Sequence, residues 1–363
     1  LSEVCGHIAS VPLDRSKPLW EMWVIEGLGG SAAEDGGDVV LMIKVHHAAV
    51  DGVSAANLLD KLCDIEPNAA TPEPVDGPGA VPAWAIAADG LWRFVTLPWQ
   101  LTRAVPVAAS MVAKTVGRVV SGKSMAAPFS APTTRFNGTL TAERTIATVQ
   151  LDLDDVKKAK NQCDAKVNDV VMALCAGALR GYLADHGELP DKPLIAMVPS
   201  SVQGQSDRPG RNQLSGMFCN LQTHIGDPVQ RLHAIAESNR HAKEHSASLG
   251  PTLLLDLAQS ISRGAFGAMM GLMSRSPLGN TAIHNVIVSN VPGPPTTLYS
   301  GGAEVKGLYP LGPIFPGSGL NITVVSVADK LNVGIISCPQ LADDLWDLAD
   351  RFKSELSDLL ARC

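Results

Sequence analysis

The chain offers no ready metal site and no covalent nucleophile. Its 363 residues contain no Cys-x-x-Cys pair and no His-Glu-x-x-His helix, so the common tetrahedral ligand sets have no starting point and no metal is expected. No Ser or Cys stands in a nucleophile-elbow context, which argues against a covalent acyl-enzyme. A basic excess is also missing. The net charge of -7 is the wrong sign for a phosphate-backbone partner and sets nucleic acid aside. No uninterrupted apolar run reaches the roughly 20 residues of a membrane-spanning helix, and the opening residues do not read as a signal peptide. The seven cysteines are scattered and odd in number, which reads as free thiols in a reducing, cytoplasmic compartment. These absences leave a soluble or peripheral globular protein. At 45% hydrophobic and 18% charged residues, the chain is long enough for two domains and a substantial core.

The most informative stretch is His46-His47-Ala48-Ala49-Val50-Asp51-Gly52, directly after the apolar run Val39 to Val45. An imidazole near neutral pH accepts and returns a proton, so it suits the activation of a hydroxyl. An Asp four residues past His47 can hold the loop or the ring tautomer, and Gly52 opens backbone angles closed to other residues. Taken alone, two histidines at a strand end are ordinary. The complete His-His-x-x-x-Asp-Gly pattern after a strand is not.

Around it, strand-like runs at Met22 to Ile25 and Val39 to Val45 precede an amphipathic stretch from Val53 to Cys63. Glu66 to Pro82 holds five prolines and reads as a linker. Ala83 to Gly122 reads as mostly helical, carrying Trp84, Trp92 and Trp99 with spaced cations, either a core helix or one lying on a membrane surface. Pro98 and Pro106 are expected to break it. Further strands are expected at Arg144 to Leu153, Leu194 to Val198, Ile283 to Ser289, Ile322 to Val327 and Val333 to Ser337. Helices are expected at Lys166 to Leu183, Pro228 to His245 and Thr252 to Arg275, with an amphipathic closing stripe through Leu341, Leu345, Leu348, Phe352, Leu356 and Leu359. The Leu/Met-rich Leu253 to Met273 could line an apolar groove or belong to ordinary core. Strands and helices in two blocks indicate an α/β architecture, divided as residues 1–120, a linker at 121–143, and 144–363.

Smaller constellations are open to two readings. Asn168-Asp169 at a helix start are ordinary capping residues or substrate contacts. Ser289-Asn290-Val291-Pro292-Gly293-Pro294 is a turn after a strand, or a presentation of Ser289 and Asn290 to a pocket. The Trp of Pro18-Leu19-Trp20 reads as buried packing.

The stretch Pro12 to Glu21 (Pro-Leu-Asp-Arg-Ser-Lys-Pro-Leu-Trp-Glu) together with the His motif resembles the bacterial wax ester synthase/acyl-CoA:diacylglycerol acyltransferase family, especially its triacylglycerol synthase branch. The likeness continues through Asn168-Asp169-Val170-Val171, Gly210-Arg211-Asn212-Gln213 leading to Met217, and Ser289 to Pro294. It implies two chloramphenicol-acetyltransferase-like halves with a tunnel and active site between them, the first half lacking its opening segment. It implies acyl-CoA as co-substrate with no further cofactor, diacylglycerol or a long-chain alcohol as acceptor, and a membrane or lipid-droplet surface as the place of work. His47 would be the general base, His46 a supporting residue, and Asp51 and Gly52 the shapers of the loop. Asn290 would be a candidate oxyanion donor. Pro199-Ser200-Ser201-Val202-Gln203 departs from the Pro-Val-Ser-x-Arg expected there, so an Arg contact is missing or moved. Carrier-protein-dependent transferases and condensation domains share the His motif, and a non-catalytic lipid-binding protein could retain the fold. Turnover of free acyl-CoA argues against the carrier-dependent reading, and lipid binding without turnover, unchanged by His47→Ala, would favour the non-catalytic one.

Overall fold

In a computed structural model the protein is described over residues 1–28, 37–47, 62–69, 81–120, 124–127, 130–201, 214–249 and 282–363. A short helix, α1 (Ser2–Ser10), precedes an antiparallel hairpin of β1 (Trp20–Leu28) and β2 (Asp38–Val45). Helix α2 (Ala83–Val120) follows. It runs unbroken through Pro98 and Pro106, contrary to expectation. Each proline removes one main-chain bond, to the carbonyls of Phe94 and Thr102, which costs stability without ending the helix.

The remaining elements are β3 (Thr145–Asp152), α3 (Leu153–Gln162), α4 (Val167–Asp185), β4 (Ile195–Ser201), β5 (Leu214–Asn220), α5 (Pro228–Leu249), β6 (Val286–Pro292), β7 (Tyr299–Ser300), β8 (Ala303–Glu304), β9 (Leu320–Val327), β10 (Lys330–Ser337) and α6 (Leu345–Arg362). Six strands form a mixed sheet in the order β3-β10-β9-β6-β4-β5, parallel at β9-β6 and β6-β4 and antiparallel elsewhere. Strands β9 and β10 are buried on both faces: Leu320, Ile322 and Val324 are covered on one side of β9 and Asn321, Thr323 and Val325 on the other, and β10 buries Leu331, Val333 and Ile335 opposite Asn332 and Ile336. The stretches Val53 to Cys63 (beyond its last two residues) and Thr252 to Arg275 lie outside the described residues.

Helix α4 lies on one face of this sheet with α5 and α6 beside it, and nearly every side chain from Asp169 to Leu183 is buried. By length and composition α4 could cross a membrane, but it is 72% buried and serves as the core helix. Most of the closing stripe forms as expected: Leu345, Leu348, Phe352, Leu356 and Leu359 are buried on α6, each a site where truncation to Ala typically costs about 2–5 kcal/mol, while Leu341 is buried but precedes the helix. Asp344 caps the helix by accepting from the Asp347 N–H at 3.0 Å. Helix α3 was not anticipated. Its signal was present, since Asp152 caps it through the Asp154 N–H and Leu153, Val156 and Ala159 repeat at a helical interval.

A buried polar knot ties the linker to the sheet. Asn137 Oδ1 accepts from the Thr134 N–H and from Asn285 Nδ2, while Asn137 Nδ2 donates to the carbonyls of His284 and Gly317. Asn285 Oδ1 accepts from the Ile195 N–H, so each amide is satisfied in place.

The expectation of seven free thiols is corrected. Cys163, just past α3, is bonded to Cys363, with Cα atoms 5.4 Å apart across a sequence separation of 200. Neither parity nor scatter reveals which distant pair the packing brings together. Of the unpaired cysteines, Cys175, Cys219 and Cys338 are buried, and burial pushes the thiols of Cys175 and Cys219 up to about 12.

Two histidines make the fold sensitive to acid. His245 of α5 is buried and holds α2: its Nδ1 accepts from the Met125 N–H at 3.1 Å, leaving Nε2–H to donate to Thr115 Oγ1 at 3.3 Å. Burial, then Arg118, lowers its pKa. Both ring nitrogens of His284 are buried without a hydrogen-bond partner among the described residues, and burial pushes its pKa down to about 4. The unfolded chain takes up these protons near pH 6.5 and the native state only at lower pH. The stability is therefore complete above the unfolded value and is lost as pH falls through the depressed ones. The thermal midpoint should drop between about pH 7 and about pH 4, and His284→Phe, beside the Phe218 ring, should flatten that profile. A variant profile as steep as the wild type would assign the acid loss to other groups.

Candidate active site

The His motif begins where β2 ends. Val39 to Val45 is rich in β-branched and aliphatic residues, and its register pairs Val45 with Trp20 and Lys44 with Glu21. The His46 N–H extends the pairing by donating to the Leu19 carbonyl at 2.9 Å. His47 then stands exposed in the first turn beyond the strand, while Asp51 and Gly52 lie outside the described residues. Trp20 is 56% exposed on the hairpin, which corrects its assignment to the core. A two-stranded ribbon has too few neighbours to bury both of its faces.

The hairpin is moored. Lys44 Nζ donates to the carbonyls of Ile8 and Val11 on and just past α1 and pairs with Glu21 at 3.4 Å. Helix α1 in turn sits against the start of β3, where the Arg144 N–H donates to Ser10 Oγ at 2.8 Å. The approach is so close that a Cβ on Gly6 would lie 2.5 Å from the Arg144 carbonyl oxygen. The chain returning after the His loop is anchored as well, since Asp64 and Tyr299 exchange main-chain bonds of 2.7 and 2.8 Å. The loop therefore leaves from one fixed segment and returns to another.

A second cluster lies at a fork in the large sheet. Parallel strands β4 and β6 are in register only at Ala196–Val286 and Met197–Ile287. Beyond that point β4 stays with β5 while β6 follows β9 to Pro292, so the sheet divides at the C-terminal ends of its parallel pair, a common setting for ligand crevices in α/β folds. Asn290 sits beyond the division, inside the strand opposite Val324, so the turn expected at Ser289 to Pro294 starts later than the sequence suggested. Its Nδ2 donates to Asn168 Oδ1 on α4 at 3.3 Å, joining two candidate residues 122 positions apart. The alternation of a strand turns Ser289 to the opposite face. Asp169 is buried, accepting from Asn239 Nδ2 at 2.8 Å and from the Lys166 N–H at 3.4 Å. It fastens the start of α4 and ties it to α5. Asn239 went unnoticed in the sequence, where a polar residue within a helix carries no distinguishing signal. Among the described residues no hydrogen bond joins His47 to the Asn168–Asn290 pair.

Two family profiles match the chain: the wax ester synthase/diacylglycerol acyltransferase catalytic domain over residues 1–171 and the corresponding C-terminal domain over 211–360. The chain belongs to the wax ester synthase/diacylglycerol acyltransferase family. A Mycobacterium tuberculosis protein named as a diacylglycerol O-acyltransferase is 49% identical over 360 residues, 99% of this chain and 71% of that protein. The O-acyltransferase WSD of Acinetobacter baylyi is 32% identical over 352 residues, 96% of this chain and 74% of that protein. The solved wax ester synthase/diacylglycerol acyltransferase of Marinobacter aquaeolei superposes with a TM-score of 0.68 at 26% identity, covering 99% of this chain and 75% of that one. This family member thus has the mixed α/β, chloramphenicol-acetyltransferase-like fold of two domains.

Proposed function

We propose that this wax ester synthase/diacylglycerol acyltransferase family member moves a fatty acyl group from acyl-CoA to the hydroxyl of diacylglycerol, forming triacylglycerol, or of a long-chain alcohol, forming a wax ester. The observation that carries the reading is His47, exposed in the turn that opens a loop moored on both sides, within a chain whose relatives are named for this chemistry. His47 takes the proton of the acceptor hydroxyl as its oxygen attacks the thioester carbonyl. A tetrahedral intermediate forms, the C–S bond breaks, and the proton passes to the departing CoA sulfur. His46 supports the ring beside it, and Asp51 and Gly52 set the course of the loop. Asn290 gives one amide hydrogen to Asn168 and keeps a second for the oxyanion of the intermediate. Asn168 and Ser289 contact substrate near the sheet fork, with Asp169 bracing the helix behind them. Acyl-CoA enters as co-substrate, and no other cofactor takes part. Because both acceptors are lipids, the protein works as a peripheral protein at the cytoplasmic face of a membrane or at a lipid droplet.

The test is CoA thiol release from a long-chain acyl-CoA with diacylglycerol or hexadecanol as acceptor. Acceptor-dependent release is expected. A folded chain that releases no CoA with either acceptor would sink the proposal.

A further inference from the structure

The motif Ser289 to Pro294 opens a stiff arm that crosses from the sheet fork to the His loop. Asn290 to Pro292 still belong to β6. Gly293 is wedged so closely on β9 that a Cβ there would fall on the Ser326 carbonyl, and its N–H donates to Ser326 Oγ at 3.4 Å. The Pro294 carbonyl accepts from the Ala328 N–H at 3.0 Å. Pro294 and Pro295 fix two φ angles in succession, and Leu298 is buried with Val325 and Val327. The arm then turns back in the hairpin of β7 and β8. Its two-residue turn is Gly301-Gly302, with φ of 57° and 88°, the left-handed pair that so tight a hairpin requires.

This hairpin lies along the segment that returns from the His loop. Tyr299 exchanges both main-chain bonds with Asp64, Ser300 Oγ donates to the Leu62 carbonyl at 3.4 Å, and Cys63 packs against the Leu298 cluster. A Cβ on Gly302 would stand 3.2 Å from the Pro67 carbonyl oxygen, whereas one on Gly301 would meet nothing within 4 Å. Just past β8, Lys306 pairs at 2.7 Å with Asp38, the first residue of the strand that leads into the His motif. One arm therefore carries Asn290 at its base and touches, near its tip, both the strand entering the loop and the segment leaving it. We propose that residues 290–306 set the position of His47 relative to Asn290, with Gly302 as the positioning residue where the arm meets the loop's return. This rests on His47 as the base and Asn290 as the oxyanion donor. It supplies the connection between them that no direct hydrogen bond makes among the described residues.

The test compares two neighbouring substitutions in the whole chain. Gly302→Val presses on Pro67, while Gly301→Val strains the same turn in open space. The first should lower kcat for acceptor-dependent CoA release about ten- to a hundredfold with little change in KM, because a misplacement of about 1 Å can cost that much. The second should stay within a few-fold of the wild type, with a similar thermal midpoint. Pro294→Gly/Pro295→Gly, which softens the arm and alters neither end, should lower kcat as well. In the His47→Ala background the Gly302→Val loss should vanish, as a general loss of stability would not. Amide exchange at residues 44–47 should also be faster in Gly302→Val than in the wild type. Unchanged kcat and exchange in Gly302→Val overturn the inference, and so does a loss of equal size in the His47→Ala background. A wild type that releases no CoA, while Gly302→Val still speeds that exchange, would refute the acyl-transfer reading and leave the arm's hold on the loop standing.

Discussion

His47→Ala should lower acceptor-dependent CoA release by about 100- to 10,000-fold, the usual worth of a positioned general base. The fold should survive. His47 stands exposed in a turn, and truncating it uncovers no core and breaks none of the main-chain pairing that ends at His46. The loss belongs in kcat, because the proton moves only as the hydroxyl attacks. His46→Ala should cost less, since the anchoring contact of that residue to Leu19 is through its backbone and does not depend on the ring. Steady-state turnover beside a thermal melt checks both variants. A His47→Ala enzyme within a few-fold of the wild type would remove the imidazole from the mechanism.

Glu355→Ala is the substitution expected to damage the fold most. Arg231 of α5 is 3% exposed in its side chain, and its Nη2 meets Glu355 Oε2 of α6 at 2.5 Å over the surface of α4. Gly177 of α4 permits the arrangement, because a Cβ there would fall on the Glu355 carboxylate and lie 2.6 Å from Arg231 Nη2. Burial is the largest influence on both partners, lowering the Arg231 pKa and raising that of Glu355, so desolvation outweighs their attraction. The pair is then costly to break and adds little when intact. Removing Glu355 alone leaves a buried guanidinium whose remaining hydrogen bonds among the described residues go to the carbonyls of Ile225 and Gly226, at a cost of about 3–5 kcal/mol. Arg231→Met/Glu355→Leu should recover most of that loss. Thermal unfolding of the single and double variants decides the matter, and a single variant as stable as the wild type would show that Arg231 reaches water once its partner is gone.

Much of the architecture was legible. The runs that became β9 and β10, the helical repeat of α4 and the closing stripe of α6 were plain because burial imposes a period of two or 3.6 on a contiguous stretch. Helix α3 was legible too and was missed, its Asp152 cap masked by the strand that precedes it. Strand β5 is short and follows a polar stretch, so no clear alternation announced it. Pro98 and Pro106 misled because each removes only one main-chain hydrogen bond, a local loss that the rest of a 38-residue helix outlasts. Trp20 misled for the opposite reason, since an apolar residue reaches the core only when the fold supplies neighbours.

By itself the sequence determined the α/β class, the strand leading into the His motif and the reactive side chains that the motif carries. Each is written in adjacent residues, where hydrophobic period and the spacing of reactive side chains are local properties. Only the tertiary structure decided that Asn290 meets Asn168, that Cys163 finds Cys363, that Arg231 and Glu355 share the space left by Gly177, and that the sheet divides between β4 and β6. Those partners are more than a hundred positions apart in the case of each side-chain pair. Their meeting depends on how whole helices and strands stack, and no short stretch of chain records it.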